Sequence, residues 1–158
     1  MYQMIVVKNM KLTLYTDYSL RVLLYLASKP QDELSNIKEI ADSYQISKNH
    51  LMKVIHELGK FGLIETIRGR GGGIRLALSP EDINIGQVVR QTEEDFHLVE
   101  CFDPSANRCA ITSICGLKHV LFQALQAYLA VLDQYTLKDL AVNPDAMRQL
   151  LFKKPEDR

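Results

Sequence analysis

ISKNHLMKVIHELGKFGLIETIRGRGGGIRLAL, residues 46–78, changes its hydrophobic period half-way along. Leu51, Val54, Ile55 and Leu58 recur at the three- and four-residue steps of an amphipathic helix, with Ser47 placed to cap its start and Gly59 or Gly62 to end it. Beyond it lie two β-prone runs, 63–68 and 74–78, on either side of Gly69-Arg70-Gly71-Gly72-Gly73. Glycine takes the positive φ angles of a tight tip without steric cost, so this half predicts a β-hairpin. A helix followed at once by a hairpin is the later part of a winged helix-turn-helix, which needs another short helix just upstream.

That helix is predicted over 35–44, where Ile37, Ile40 and Ala41 share a face. Ser35 or Asn36 caps it, and Glu39 completes a capping box if Asn36 does. Gln45-Ile46 is the tight turn. Further upstream, residues 16–28 form a helix capped by Thr16 or Asp17, with Leu20, Val22, Leu23, Leu24 and Leu26 apolar. Downstream, 82–92 is a short helix, and 93–115 is a loop marked by Pro104, Ser105 and Asn107. Residues 116–140 read as one long amphipathic helix with Leu117, Leu121, Ala124, Leu125, Tyr128, Leu132 and Tyr135 on one side. A second copy of the same helix covers that face economically; packing back on its own domain is the alternative. Asn143-Pro144 starts a last short helix to Phe152, and the chain ends in a polar tail. The fold class is therefore mainly α with a small β-hairpin. A winged helix-turn-helix domain spans 10–92, a cysteine loop 93–115, a dimerisation helix 116–140 and a C-terminal tail 141–158.

With 47% apolar and 24% charged residues in 158, the chain has the composition of a folded globular protein. It lacks the run of roughly 18 apolar residues that spans a bilayer. The apolar start at Met4 to Val7 is too short for a signal-peptide core, so a cytoplasmic protein without membrane partners is expected. Residues 1–9, ahead of Met10, read as an extension or a frayed tail. The zero net charge hides an asymmetry: 46–76 holds six basic against two acidic residues, net +4, and 81–103 holds one against seven, net −6.

The basic segment carries candidate contacts to double-stranded DNA. Ser47, Lys48, Asn49, His50 and Lys53 begin the helix that a helix-turn-helix lays in the major groove, where asparagine pairs with adenine and lysine reaches guanine or phosphate. Helix N-termini near Ser35 and Ser47 favour phosphate oxygens. Arg68, Arg70 and Arg75 surround a tip whose Gly71 and Gly72 permit close approach to the minor groove. The same glycines lack the Lys-Ser/Thr of a P-loop, which excludes a nucleotide-phosphate site of that kind.

Cys101, Cys109 and Cys115 form C-x7-C-x5-C, an odd, tight cluster unlike a secreted disulfide framework. Thiolates suit zinc or the iron of an iron–sulfur cluster, and three leave one position open. His119 extends the pattern to C-x7-C-x5-C-x3-H, which matches zinc fingers that bind RNA; Phe102 is the one aromatic residue inside the span. His97, Glu94, Asp95, Glu100 and Asp103 are further candidates for the fourth position. A metal-free thiol redox switch is a third possibility. No nucleophile–base pair or paired carboxylates stand at catalytic spacing, so an enzyme is not expected.

Together YTDYSLR, ISKNHLMKVIHELG, IRGRGGGIRL and EC-x7-C-x5-CGLKHVL resemble the Rrf-two family of regulators, over roughly Met10 to Leu140, and within it the repressors that sense nitric oxide. The resemblance implies a homodimer, a palindromic operator and a [4Fe-4S] cluster on Cys101, Cys109 and Cys115. It also implies a fourth ligand from the partner subunit's opening helix, which matches Asp17, with Arg21 one turn on to hold that carboxylate. Two departures stand out. The first spacing is x7 where relatives have x5, and relatives with a [2Fe-2S] cluster place a histidine at x2 after the third cysteine, where His119 lies at x3.

Overall fold

Thr13, rather than Thr16 or Asp17, starts the first helix of the structure, a computed structural model that describes residues 11–153. The expectations for residues 1–10 and for the tail past Lys153 lie outside the described residues. Helix α1 spans Leu14–Ala27, and the Thr13 hydroxyl accepts the Thr16 N–H at 3.2 Å. Glu93 in turn accepts the Thr13 N–H at 2.8 Å and its hydroxyl at 3.1 Å. Thr16 is fully buried inside the helix, and Asp17 sits in the first turn, where the helix dipole favours a carboxylate.

Helix α2, Ile37–Tyr44, has the Asn36–Glu39 capping box. It closes through Gln45, the one non-glycine residue with positive φ (54°) among those described. The Ile46 N–H returns to the Ala41 carbonyl at 3.0 Å and completes a left-handed cap at the turn. Helix α3, Lys48–Lys60, is capped by Ser47, whose hydroxyl accepts the His50 N–H at 3.2 Å. Strands β1 (Ile64–Ile67) and β2 (Gly73–Leu76) pair antiparallel with Ile64 opposite Leu76 and Ile67 opposite Gly73. Ser35 adds a one-residue third strand: it exchanges backbone hydrogen bonds of 2.9 and 2.7 Å with Ile74. After a 3-10 turn at Pro80–Asp82, helix α4 covers Ile85–Thr92, capped by Asn84. The core joins Val22, Leu23, Ile40, Leu51, Val54, Leu58, Ile64, Ile74, Ile83 and Val88 from the helices, both strands and the segment before α4.

The expected helix over 116–140 is two helices. Helix α5 runs Gly116–Leu132, the chain turns through 133–136, and α6 is Leu137–Leu140. Thr136 and Asp139 form a capping box that restarts the helix. The turn is held to the start of α4: the Ile85 N–H donates to the Tyr135 carbonyl at 3.0 Å, Leu137 N–H to the Ile83 carbonyl at 2.8 Å, and the Asn84 side chain to the Asp133 carbonyl at 2.7 Å. Arg90 adds a two-pronged ion pair to Asp133, one arm at 2.8 Å. Leu137 thereby enters the core fully buried. The expectation that the apolar face packs back on its own domain holds in part. Leu125 and Leu129 are buried where α5 lies on α4, while Leu117, Val120, Tyr128, Val131 and Tyr135 remain exposed. Helix α7, Pro144–Leu151, returns to the end of α1, where Phe152 meets Tyr25 edge-on at 5.5 Å and Arg148 donates to the Ser28 carbonyl at 3.0 Å.

Candidate nucleic-acid interface and cysteine cleft

Burial of Leu51, Val54, Ile55 and Leu58 fixes the rotation of α3 and leaves Ser47, Lys48, Asn49, His50 and Lys53 exposed together at its start. Arg68 and Arg70 are exposed at the wing, and neither has an acidic partner among the described residues. Gly71, at φ +77°, bends the tip. Gly72 has a different reason: a Cβ there would stand 2.1 Å from the Ile67 carbonyl oxygen, so its place is explained by the hairpin itself. Two of the expected contacts are engaged within the chain. Ser35 is 1% exposed, held in its bridge with Ile74, and its hydroxyl does not face solvent. Arg75 is paired with Glu65, the residue directly opposite it across the hairpin.

Two residues near the helix-turn-helix, Tyr18 and Tyr44, were not singled out by the sequence. Tyr18 of α1 has its ring 6.3 Å from that of His50. Arg21 lies 5.8 Å from the Tyr44 ring centre at the end of α2. Burial pushes the Tyr44 phenol up to about 12. Asp17, on the same turn, is held by Arg21 through two contacts of 2.9 Å, a hydrogen bond that also raises Arg21 above its ordinary value. Asp17 is thus one side chain, Arg21, away from the end of α2, and Tyr18 lies against the start of α3.

The cysteine loop folds around two 3-10 turns, Glu100–Phe102 and Thr112–Ile114, and its three thiols are free. Cys101 and Cys115 are half-buried and line one cleft of about 540 Å³ with His97, His119, Phe102 and Phe122. The Phe102 and Phe122 rings meet edge-on at 6.4 Å and hold the Cys101 turn to α5. Cys115 is the N-cap of α5, where its sulfur accepts the Lys118 N–H at 3.4 Å. Cys109 is exposed outside the cleft, and Asp17 does not line it.

Much of the acidic stretch serves the fold. Glu93 starts α1, and Glu100 accepts the Arg108 N–H at 2.5 Å. Asp103 accepts the Ser105 hydroxyl at 2.6 Å and its N–H at 2.8 Å, which hold its carboxyl below the ordinary range. Among the described residues no three His, Cys, Asp or Glu side chains converge to metal-holding distance. The donor chemistry nevertheless fits a soft metal centre: three unpaired thiols within one loop, two of them on one cleft, with an N–H already directed at one sulfur.

A family profile described as Rrf2, iron-dependent transcriptional regulator, matches residues 12–143. The chain is 66% identical over 145 residues to the HTH-type transcriptional regulator NsrR of Bacillus subtilis (strain 168), covering 92% of this chain and 99% of that protein. It is 68% identical over 142 residues to NsrR of Bacillus licheniformis, covering 90% and 99%. Among solved structures, T. potens IscR superposes with a TM-score of 0.69 at 25% identity, over 89% of this chain and 92% of that one. Helix-turn-helix, wing, cysteine loop, α5 and α6 all lie within the matched span, and the chain belongs to the Rrf2 family of transcriptional regulators.

Proposed function

We propose that this transcriptional regulator is a homodimeric repressor that binds a palindromic DNA operator and answers to nitric oxide through a [4Fe-4S] cluster. Cys101, Cys109 and Cys115 would hold the cluster, with Asp17 of the partner subunit as fourth ligand. When bound, such a cluster supplies iron that is open to attack by nitric oxide. The observation that carries the proposal is continuity: Cys115 caps α5, and the far end of α5 is bolted to α4 through Arg90–Asp133 and the Tyr135 and Asn84 hydrogen bonds. The thiol loop is thereby joined to the DNA-binding body by a rigid helix.

The chain's own residues account for the remaining requirements. Leu117, Val120, Ala124, Ala127 and Val131 follow three- and four-residue steps along the uncovered side of α5, the seam spacing of two packed helices, with alanines that allow close approach. That seam supports a second copy as its cover. Asp17 is half-exposed and therefore open to a partner; within its own chain it rests on Arg21, which touches Tyr44, while Tyr18 touches His50. A change of partner at Asp17 would be passed through Arg21 to Tyr44 at the end of α2. Half-sites about one helical turn apart, roughly 34–36 Å, would lose one of two contacts if the α3 helices reorient.

The test selects operators from random double-stranded DNA with anaerobically isolated protein, then measures iron, sulfide and binding during stepwise addition of nitric oxide. The expected result is an inverted-repeat site, about four irons per chain and an affinity that falls as the chromophore is lost. Unchanged affinity after complete bleaching refutes the sensing role. Iron content unaffected in Cys109→Ser refutes the ligand set.

A further inference from the structure

The cleft beside α5 holds a second donor set that shares Cys101 and Cys115 with the proposed cluster and adds two histidines. His97 lies four residues before Cys101, and His119 four residues after Cys115, so the chain reads H-x3-C-x13-C-x3-H. All four side chains line the same cleft of about 540 Å³. Cys115 and His119 are at i and i+4 on α5, neighbours on one helix face. Cys101 is brought to them by the Phe102–Phe122 contact. Asp95 lies beside His97: its Oδ1 accepts the His97 backbone N–H at 2.8 Å and stands 3.6 Å from Nδ1, close enough to orient the ring once the turn tightens. A carboxylate behind one ring nitrogen leaves the other, Nε2, for a metal.

We infer that the cluster-free chain binds one zinc ion in this cleft through His97, Cys101, Cys115 and His119. Two thiolates and two imidazoles are a tetrahedral zinc set, and a spacing of 13 between the inner ligands is that of small structural zinc sites. The four donors surround the cleft without converging in the metal-free chain, so binding draws the His97–Cys101 turn towards α5. Zinc replaces the two thiol protons, which pass to solvent. Neither Cys109 nor Asp17 takes part. The inference stands apart from the iron–sulfur proposal, yet the two sites share Cys101 and Cys115, so zinc and cluster exclude one another.

The test uses the full chain, free of tags, reduced and stripped of metal. Zinc is titrated against a chromophoric chelator, and the loaded protein is studied by X-ray absorption at the zinc edge. The expected result is one zinc per chain with two sulfurs at about 2.3 Å and two nitrogens at about 2.0–2.1 Å. His97→Ala and His119→Ala should each weaken binding at least about tenfold. Cys109→Ser and Asp17→Ala should bind as the parent does. A three-sulfur shell, loss of zinc in Cys109→Ser, indifference to both histidine variants, or no stoichiometric binding overturns the inference. Cys109→Ser separates the two metal readings, because it is expected to lose iron and sulfide while keeping zinc.

Discussion

Leu137 is the residue on which the break in the 116–140 segment turns. It is fully buried in the winged-helix core, whereas Leu140, three residues on in the same short helix, is 39% exposed. Replacing a fully buried leucine by alanine costs about 3–5 kcal/mol, transfer and cavity terms together. A surface substitution stays within about 0.5 kcal/mol. At about 2–4 °C per kcal/mol for a chain of this size, Leu137→Ala should lower Tm by at least about 6 °C, and Leu140→Ala by less than about 2 °C. Calorimetry or urea unfolding at one fixed protein concentration measures both, since the proposed dimer would add a concentration term. If the two variants unfold within about 0.5 kcal/mol of each other, the segment does not re-enter the core. A single continuous helix over 116–140 would then be the better description.

Gln45 occupies the left-handed region at φ 54°, where a side chain costs about 1–2 kcal/mol. Gln45→Gly should therefore stabilise the turn by about 0.5–1 kcal/mol after the added backbone freedom is counted, and a loss of stability in urea unfolding would contradict it. On a selected operator, Arg70→Ala should weaken binding across sequences and reduce the salt slope by about 0.9, as for one phosphate contact. Asn49→Ala should relax preference at one base position by about 1–3 kcal/mol. Ser35→Ala should leave the salt slope unchanged, and a fall there would reverse its assignment to the interior. Tyr25 and Tyr44 have phenols pushed up to about 12 by burial, against roughly 10 in the unfolded chain. Their contribution to stability is complete below pH 10 and is lost as pH rises through the folded values. Tyr44→Phe should flatten the decline in urea-unfolding free energy between about pH 10 and 12, and an unaltered slope would refute that source.

What the sequence revealed was local. The Asn36–Glu39 box, the Ser47 cap and the glycine tip each lie within a few residues, and each stands where periodicity placed it. What it missed was the work done on these parts by distant ones. Thr13 caps α1 because Glu93, eighty positions away, secures it. Ser35 is buried because Ile74 pairs with its backbone. Two signals were present and outweighed. Glu65 and Arg75 stand opposite in the register that the hairpin dictates, and Thr136-x-x-Asp139 is a helix start inside an otherwise continuous apolar pattern. A broad hydrophobic stripe and a cluster of arginines each tempt a single reading that one polar side chain can redirect.

The fourth metal ligand was the least legible feature, and chain geometry gives the reason. Cys101 and Cys115 are common to both proposed donor sets. One set is completed within the chain by His97 and His119 on the same cleft. The other needs Cys109 and a carboxylate from a second subunit, because Asp17 does not reach this cleft in its own chain. Ligands within one chain act at an effective concentration that dilution cannot change, whereas a ligand from a partner is lost when subunits separate. On the two proposals, dimerisation through the Leu117–Val131 seam would govern the competition by favouring the set that includes Asp17, and separated chains would retain the Cys2His2 set. Dilution of metal-free protein should leave zinc affinity unchanged while it impairs cluster assembly, and parallel loss of both would mean that the two sites depend on the same subunit contact.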